Sequence, residues 1–344
     1  MMDNKIKFSV FSDFHYKFGM YISSVEDFGT IMDKAKSNNV DFVIHGGDFC
    51  NDYIGSPELI NAYINSDQKV YGIYGNHELE SKDNSMATVT PKLTNDNNVI
   101  WGTESGTIED GSKAYYHFDY NGFRLIFTDT NYSYCEEKNL WEHNYTCSYG
   151  PPQGNVRYNS LGPIQLEWLE KVVLEAADLG LHCIVVGHDS FSGIWGSSAD
   201  TDKVREIFSK ANQTRKGTVL MAINGHHHTN RIAKADDIVF LNVNCAKNGC
   251  WIPEGFDHYT EEQTYMRTEY DDEGNAVERK AVPLTDAWMS RNTWYFEDPL
   301  STIVTVEANG HIVIDGMKTK WLYDVSPNSP NRMPEITRAE FKEI

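Results

Sequence analysis

Five apolar runs in this 344-residue chain each end in Asp, Asn or His, mostly through a glycine. KFSVFS leads into Asp13-Phe14-His15, FVIH into Gly46-Gly47-Asp48, and VYGIY into Gly75-Asn76-His77. CIVV leads into Gly187-His188, and VLMAIN into Gly225-His226-His227-His228. The side chains on offer are imidazole nitrogens and carboxylate or amide oxygens: Asp13, His15, Asp48, Asn76, His188, His226 and His228. That mix, without thiolate, suits zinc, iron, manganese or cobalt better than calcium, which prefers all-oxygen cages. Seven ligands are too many for one tetrahedral zinc but suit two cations sharing a carboxylate. Two metals about 3.5–4 Å apart clamp the attacking and leaving oxygens of a displacement. A water between them loses a proton near neutral pH and becomes a nucleophile. His77 adjoins a ligand yet is left over, which makes it the natural general acid for a departing alkoxide.

Each block alone has an ordinary explanation. A strand-end Asp commonly caps a helix or a turn, Gly-Asn-His suits a turn, and Gly-His-His-His could be an exposed cluster. The ordered set is different, because ligands of α/β sheets sit beyond the carboxyl ends of the strands. Five such ends in a layered sheet would aim these side chains at one spot, with glycine permitting the sharp turn and close backbone approach.

The elements that must do this aiming are legible as β-branched runs alternating with helix-like stretches, the α/β pattern. Strands are expected at Ile6–Phe11, Val40–Ile44 and Val70–Tyr74, with helices near Val25–Asn38 and Pro57–Ser66. A hairpin follows around Asn121-Gly122, a pair suited to a tight primed turn. Residues 131–160 read as a polar, Tyr-rich loop. Leu161–Ala177 has apolar positions at helical spacing, with Pro163 near its start. Further strands are expected at Cys183–Val186, Thr218–Ile223 and Ile238–Val243. Residues 252–298 are acidic and read as an irregular insertion, and TIVTVEANGHIVID as a late hairpin. No linker or repeat breaks the chain, so residues 1–344 read as one domain.

The chain has 30 Lys+Arg against 50 Asp+Glu, a formal charge of −20. Such a charge disfavours nucleic acid or an anionic membrane as partner, since both need a cationic face. It is compatible with cations held in a cleft. The N-terminal residues show no secretory signal, and no run approaches the roughly 18 apolar residues of a membrane helix. The expected location is cytoplasmic. Six cysteines without a CxxC pair argue against a disulfide scaffold or a cysteine zinc site; Cys135 and Cys147 share a polar loop and could pair in an oxidising compartment.

The blocks DFH, GGDF, GNHE, GHD and GHHH, in that order, resemble those of the calcineurin-like metallophosphoesterases. The resemblance spans residues 6 to 315 and includes the QLEWLE helix and the late hairpin; residues 252–298 match nothing in it. It implies a four-layer α/β (α+β) fold, a two-sheet β-sandwich flanked by helices, with the metal site at the C-terminal ends of the central strands. By resemblance, Asp13, His15 and His228 would hold one metal (manganese, iron or zinc), Asn76, His188 and His226 a second, and Asp48 would bridge. His77 would assist the leaving group. FCNDYIG and Tyr74 stand where protein serine/threonine phosphatases carry a VDRG-like stretch and an Arg. His15 and Asn51 depart from the purple acid phosphatases, and too little chain follows the fifth block for a two-domain 5′-nucleotidase. Class III cyclic-nucleotide phosphodiesterases and related small phosphodiesterases match best.

Other residues carry weaker signals. His45 reads as a core polar group, with a supporting role at the site as the alternative. Asp189 could orient His188 but reads more readily as exposed. His227 alternates away from its neighbours and could touch substrate; Arg157 and Arg231 are candidate phosphate clamps, Arg231 the better placed. Tyr132, Tyr134, Trp141, Tyr145, Tyr149 and Tyr158 could wall a planar group or pack as a lid. The expectation is therefore a dinuclear phosphoesterase acting on a small-molecule phosphodiester or phosphomonoester. The alternatives are a non-catalytic scaffold on the same fold, a protein or nucleotide phosphatase of the same superfamily, and a two-metal hydrolase of another ester or amide.

Overall fold

The computed structural model describes residues 4–17, 23–79, 81, 83–108, 113–135, 138–143, 159–195, 198–247, 250–251, 264–270, 276–283, 293–321 and 338–342. The first third alternates strand and helix: β1 (Lys5–Phe11), α1 (Val25–Ser37), β2 (Phe42–His45), α2 (Pro57–Ile64), β3 (Val70–Gly72) and the short α3 (Met86–Val89). Then come β4 (Ile100–Trp101), β5 (Tyr116–Tyr120), β6 (Phe123–Phe127), β7 (Tyr132–Cys135) and β8 (Leu140–His143). The middle holds α4 (Gly162–Leu179), β9 (His182–Val186), α5 (Thr201–Thr214), β10 (Val219–Asn224), β11 (Arg231–Ala235) and β12 (Ile238–Asn242). Last are β13 (Cys250–Trp251), β14 (Thr264–Tyr270), β15 (Ala276–Pro283), β16 (Thr293–Trp294), β17 (Thr302–Glu307), β18 (Ile312–Gly316) and β19 (Ala339–Phe341).

Two mixed sheets result, one ordered β19-β18-β17-β1-β2-β3 and the other β11-β12-β10-β9-β6-β5-β4. Their facing sides bury Phe8, Val10, Phe42, Ile44 and Tyr71 against Phe118, Phe127, Ile184, Ile223 and Leu241. The alternate residues face outward to helices. Phe11, Val43 and Val70 pack beneath Phe28, Ile31, Leu59 and Tyr63 of α1 and α2. Ile126, Val185 and Phe240 pack beneath Leu169, Val173, Val204 and Phe208 of α4 and α5. Strands buried on both faces read as continuous apolar runs rather than alternating ones. This is the expected four-layer sandwich, flanked by helices.

Local signals set the helix ends. Ser24 and Asp27 form a reciprocal capping box at the start of α1. Proline near the start of α4 and left-handed Gly180 at its end mark its bounds. β1, β2 and β3 run parallel, as do β6, β9, β10 and β12. The carboxyl ends of β1, β2, β3, β9 and β10 therefore converge at one edge of the sandwich, as the five blocks require.

Three expectations need correction. The stretch 131–160 contains the antiparallel pair β7–β8, with Tyr132 opposite His143. Residues 252–298 are not wholly irregular, since β14 and β15 pair from Thr264↔Pro283 to Tyr270↔Ala276. Helix α5 went unanticipated, although Val204, Ile207, Phe208 and Ala211 recur at helical spacing and are buried. Cys147, Tyr145, Tyr149, Arg157 and Tyr158 lie outside the described residues. Among the described residues no helix is long and apolar enough to cross a membrane.

Candidate metal centre

The loops after the five strands are knitted to one another through backbone hydrogen bonds. Asp13 N–H donates to Gly47 O (3.0 Å), His15 N–H to Asp48 O (2.8 Å) and Gly225 N–H to His188 O (3.2 Å). Side chains add to this: His226 N–H donates to Asp13 Oδ2 (3.0 Å) and His77 N–H to Asp48 Oδ1 (2.8 Å). Two glycines permit the close approach. Gly47 has φ +92°, and a Cβ on it would lie 2.4 Å from His188 Nδ1; one on Gly75 would lie 2.5 Å from Asp48 N. Asp13, His15, Asp48, His226 and His228 all occupy the left-handed region, at φ between 49° and 67°. Each such non-glycine residue costs of order 1–3 kcal/mol, and such strain clusters at functional sites.

These loops bring all seven expected ligands together in two groups. In the first, His228 Nε2 lies 3.0 Å from Asp13 Oδ1 and 3.2 Å from His15 Nε2. In the second, His188 Nε2 lies 3.1 Å from Asn76 Oδ1, and His226 Nδ1 lies 2.8 Å from the same oxygen. Asp48 Oδ2 stands between the groups, 3.7 Å from His15 Nε2 and 3.2 Å from His188 Nε2. The triads Asp13–His15–His228 and Asp48–His188–His226 each have ligand atoms close enough to share an ion. Ring nitrogens face each other at 3.2 Å (His15 and His228) and 3.3 Å (His188 and His226). Nitrogen and oxygen atoms converging on common points, without thiolate, form a donor set that fits divalent transition metals.

The electrostatics fit the same picture. Burial opposes charge on Asp13 and Asp48. Neighbouring imidazoles outweigh it: His228 and then His188 hold Asp13 well below the usual carboxylate range, while His188 and His77 do so for Asp48. Burial depresses His188 too, but Asp48 outweighs it and raises the ring well above an ordinary histidine. The attraction acts between His188 Nε2 and Asp48 Oδ2, 3.2 Å apart. Burial pushes His15 down to about 3, leaving it the neutral imidazole that a metal ligand must be.

His77 lies at the open rim. Its side chain is 12% exposed, Nε2 is 4.0 Å from Asp48 Oδ2, and its ring centroid is 5.0 Å from that of His15. With His15 and Asp48 it forms a third group close enough to share an ion. His227 stacks edge-on against His226, with ring centroids 5.1 Å apart. Arg231 opens β11, its guanidinium 6.0 Å from the Trp195 ring centroid. His45 is a core group: it packs on Phe11, Phe49 and Tyr63, and burial pushes it down to about 3. Of the aromatic residues, Tyr132, Tyr134 and Trp141 sit on β7–β8, with Trp141 over Gly162.

Asp189 departs from its expected place. It is 5% exposed rather than on the surface. Its Oδ1 lies 3.7 Å from His226 Nε2, whereas His188 Nδ1 lies 2.7 Å from Gly46 O. Two supporting residues were missed. Glu78, fully buried, accepts from Asp48 N (3.0 Å), Phe49 N (2.6 Å) and Gly75 N (2.6 Å), tying the second block to the third. Burial, then the charge of Asp48, pushes it up to about 8. Three donors on two oxygens nevertheless suit the ionised form. Its signal was present as the last letter of GNHE. Asn131 donates through Nδ2 to Gly75 O (3.1 Å) and Asp129 Oδ1 (3.0 Å); no local pattern marked it.

Residues 6–230 match the family model of the calcineurin-like phosphoesterases. Among solved structures, the chain is similar to a dimetal phosphatase from Danio rerio, at 13% identity and TM-score 0.56, covering 90% of this chain and 95% of that one. GAP50, the anchor in the inner membrane complex of Plasmodium, matches at 13% identity and TM-score 0.47, over 91% and 84% of the two chains. PhoD matches at 13% identity and TM-score 0.47, over 90% and 65%. At such identities the likeness to the zebrafish structure speaks for the fold alone, and the two lower scores carry no weight. No curated protein matches the sequence significantly.

Proposed function

Because the chain belongs to the calcineurin-like phosphoesterase family, whose members are metal-dependent phosphoester hydrolases, we propose that it is a dinuclear one. Its substrate is a small-molecule phosphodiester or phosphomonoester, hydrolysed in one in-line step. The observation that carries this reading is the position of Asp48 Oδ2 between the two ligand groups. Asp13, His15 and His228 would hold one cation, Asn76, His188 and His226 the other, and Asp48 both. The cations are manganese, iron or zinc by donor type. When bound, they supply a nucleophile from water at neutral pH and neutralise the phosphoryl oxygens.

The protein's own residues do the rest. Gly46 O accepts from His188 Nδ1 at 2.7 Å, which leaves Nε2 as the ligating nitrogen. Glu78 holds the backbone of Asp48 and Gly75 in register. His77, fixed through its backbone N–H to Asp48 and open to the rim, donates the proton to the leaving alkoxide. His227, beside His226, and Arg231, at the start of β11, are proposed substrate contacts. A charge of −20 favours a small phosphoester over a long polyanion, and the proposed location is cytoplasmic.

Metal analysis of the purified protein should find close to two transition-metal ions per chain. Nitrophenyl monoesters and diesters should turn over with manganese, and Asp48→Asn should lose both metals together. One ion or none, or a wild type inert with every metal, would refute the proposal. A panel of cyclic nucleotides, nucleoside diphosphate-linked compounds, glycerophosphodiesters and phosphoproteins then identifies the substrate.

A further inference from the structure

The histidines of the second ligand group are secured differently. His188 is fully buried, and its second ring nitrogen faces Gly46 O. The His226 side chain is 32% exposed, so packing alone does not set its ring. Its Nδ1 faces Asn76 Oδ1 at 2.8 Å and His188 Nε2 at 3.3 Å, and its Nε2 faces Asp189 Oδ1 at 3.7 Å. The carboxylate opposite is itself immobilised. Its Oδ2 accepts from Thr130 Oγ1 (3.0 Å) and from Asn159 Nδ2 (3.0 Å). The Asp189 N–H donates back to Thr130 Oγ1 (3.3 Å). One oxygen is thereby anchored to two elements distant in sequence, and the other is left to face the imidazole.

We propose that Asp189 is the positioning residue of His226, and through it of the second metal site; the inference rests on the dinuclear reading above. A separation of 3.7 Å is too long for a hydrogen bond, but the buried carboxylate still attracts the half-exposed ring through its charge. His226 would hold a cation through Nδ1, which faces Asn76 Oδ1, and its remaining ring proton would then reside on Nε2, toward the fixed carboxylate. Such a partner sets the tautomer and orientation of a ligating histidine and raises its basicity, and its loss costs 10–100-fold in metal affinity. The first group meets His226 only at its backbone, whose N–H donates to Asp13 Oδ2, so loss of the side-chain contact falls on the second site.

The test is a two-site titration of the metal-free protein with Mn(II), read by calorimetry and by the electron paramagnetic resonance of the bound ions. Wild type should show two constants and a spin-coupled pair. Asp189→Asn should weaken one constant about 10–100-fold, leave the other within about threefold, and give the spectrum of an isolated ion at one equivalent of excess metal. If Asp189→Asn does not fold, Thr130→Val, which retains the carboxylate but loosens it, must weaken the same single constant by several-fold. Equal loss at both sites, or no loss at either, overturns the assignment of Asp189. A wild type that binds one ion instead overturns the dinuclear reading, and the two failures are distinguishable.

Discussion

Gly75→Ala offers a direct test of how tightly the site is built. A Cβ at position 75 would stand 2.2 Å from Asp48 Oδ1 and 2.5 Å from Asp48 N. The second atom is backbone and cannot rotate away. Ordinary contact begins near 3.4 Å, so one loop must retreat by about 0.9 Å. Retreat is opposed on both sides, because Gly75 N–H and Asp48 N–H are bonded to the same Glu78 oxygen. Overpacking of this kind costs about 1–3 kcal/mol. A misplacement near 1 Å can cost on the order of 100-fold in rate. The expected outcome is a folded protein, less stable by that amount, with weakened binding of both cations and kcat lowered about 100-fold. Gly29→Ala serves as the opposite control. Nothing lies within 4 Å of its added methyl group, and alanine in a helix is favoured over glycine by about 0.5–1 kcal/mol. Urea unfolding of the metal-free proteins, metal titration and steady-state kinetics read out all three effects. A Gly75→Ala protein with wild-type metal affinity and rate would show that the loops are not held at van der Waals limits.

Glu78→Gln should destabilise the metal-free protein by about 2–4 kcal/mol at pH 9, because an amide cannot accept from all three backbone donors and leaves at least one facing an N–H; a change under about 0.5 kcal/mol in urea unfolding would contradict this. His77→Ala should lower kcat on nitrophenyl diesters by about 100- to 10,000-fold, and a loss of metal exceeding the loss of rate would make His77 a ligand instead. Metal affinity should rise with pH. His188 is raised above its unfolded value by Asp48, so the stabilising charge pair is complete below pH 6.5 and lost as pH climbs through the raised value, while a cation must displace that proton. Calorimetry in buffers of different ionisation enthalpy should therefore detect a proton released on metal binding near neutral pH, and none released would count against the pairing.

The metal ligands were legible because their chemistry restricts residue type, and because α/β sheets expose such residues where strands end. Asp13, His15, Asp48, Asn76, His188, His226 and His228 each follow an apolar run, and position after a strand is a local property. Glu78, Asp189 and Asn131 were not legible in the same way. Their roles are bonds to groups far along the chain: Glu78 reaches back 30 residues to Asp48, and Asp189 reaches 59 residues to Thr130. No window of sequence contains both partners. Asp189 also shows why adjacency misleads. The chain bends at both residues after β9, and the Asp189 carboxylate faces His226 Nε2. Among the elements, β14 and β15 were read as loop because charged residues interrupt TYMRTEY and AVERKAVP, and composition obscured the alternation around DDEGN. Helix α5 carried its apolar stripe in full but lay among polar residues.

Two independent tensions within the site have a common relief. Five residues hold left-handed backbone at φ between 49° and 67°, and buried Asp13 and Asp48 keep their charges against the cost of burial only through neighbouring imidazoles, with Glu78 pushed up to about 8 beside them. The ring of His188, raised by Asp48, supplies one positive charge to that cluster. Divalent cations at both groups would offset the rest and convert a strained anionic pocket into one that attracts phosphate, within a protein whose formal charge is −20. Stability should then depend on metal by simple mass action. Binding at 100 times the dissociation constant contributes about 2.7 kcal/mol per site, hence about 5 kcal/mol for two. At roughly 2 °C per kcal/mol for a chain of this size, chelation should lower the unfolding temperature by about 10 °C, and readdition of manganese or zinc should restore it in two saturable steps. A melting temperature that moves by less than about 2 °C on exhaustive chelation would mean that the fold carries this strain without the ions, and that the clustering of carboxylates and imidazoles has another cause.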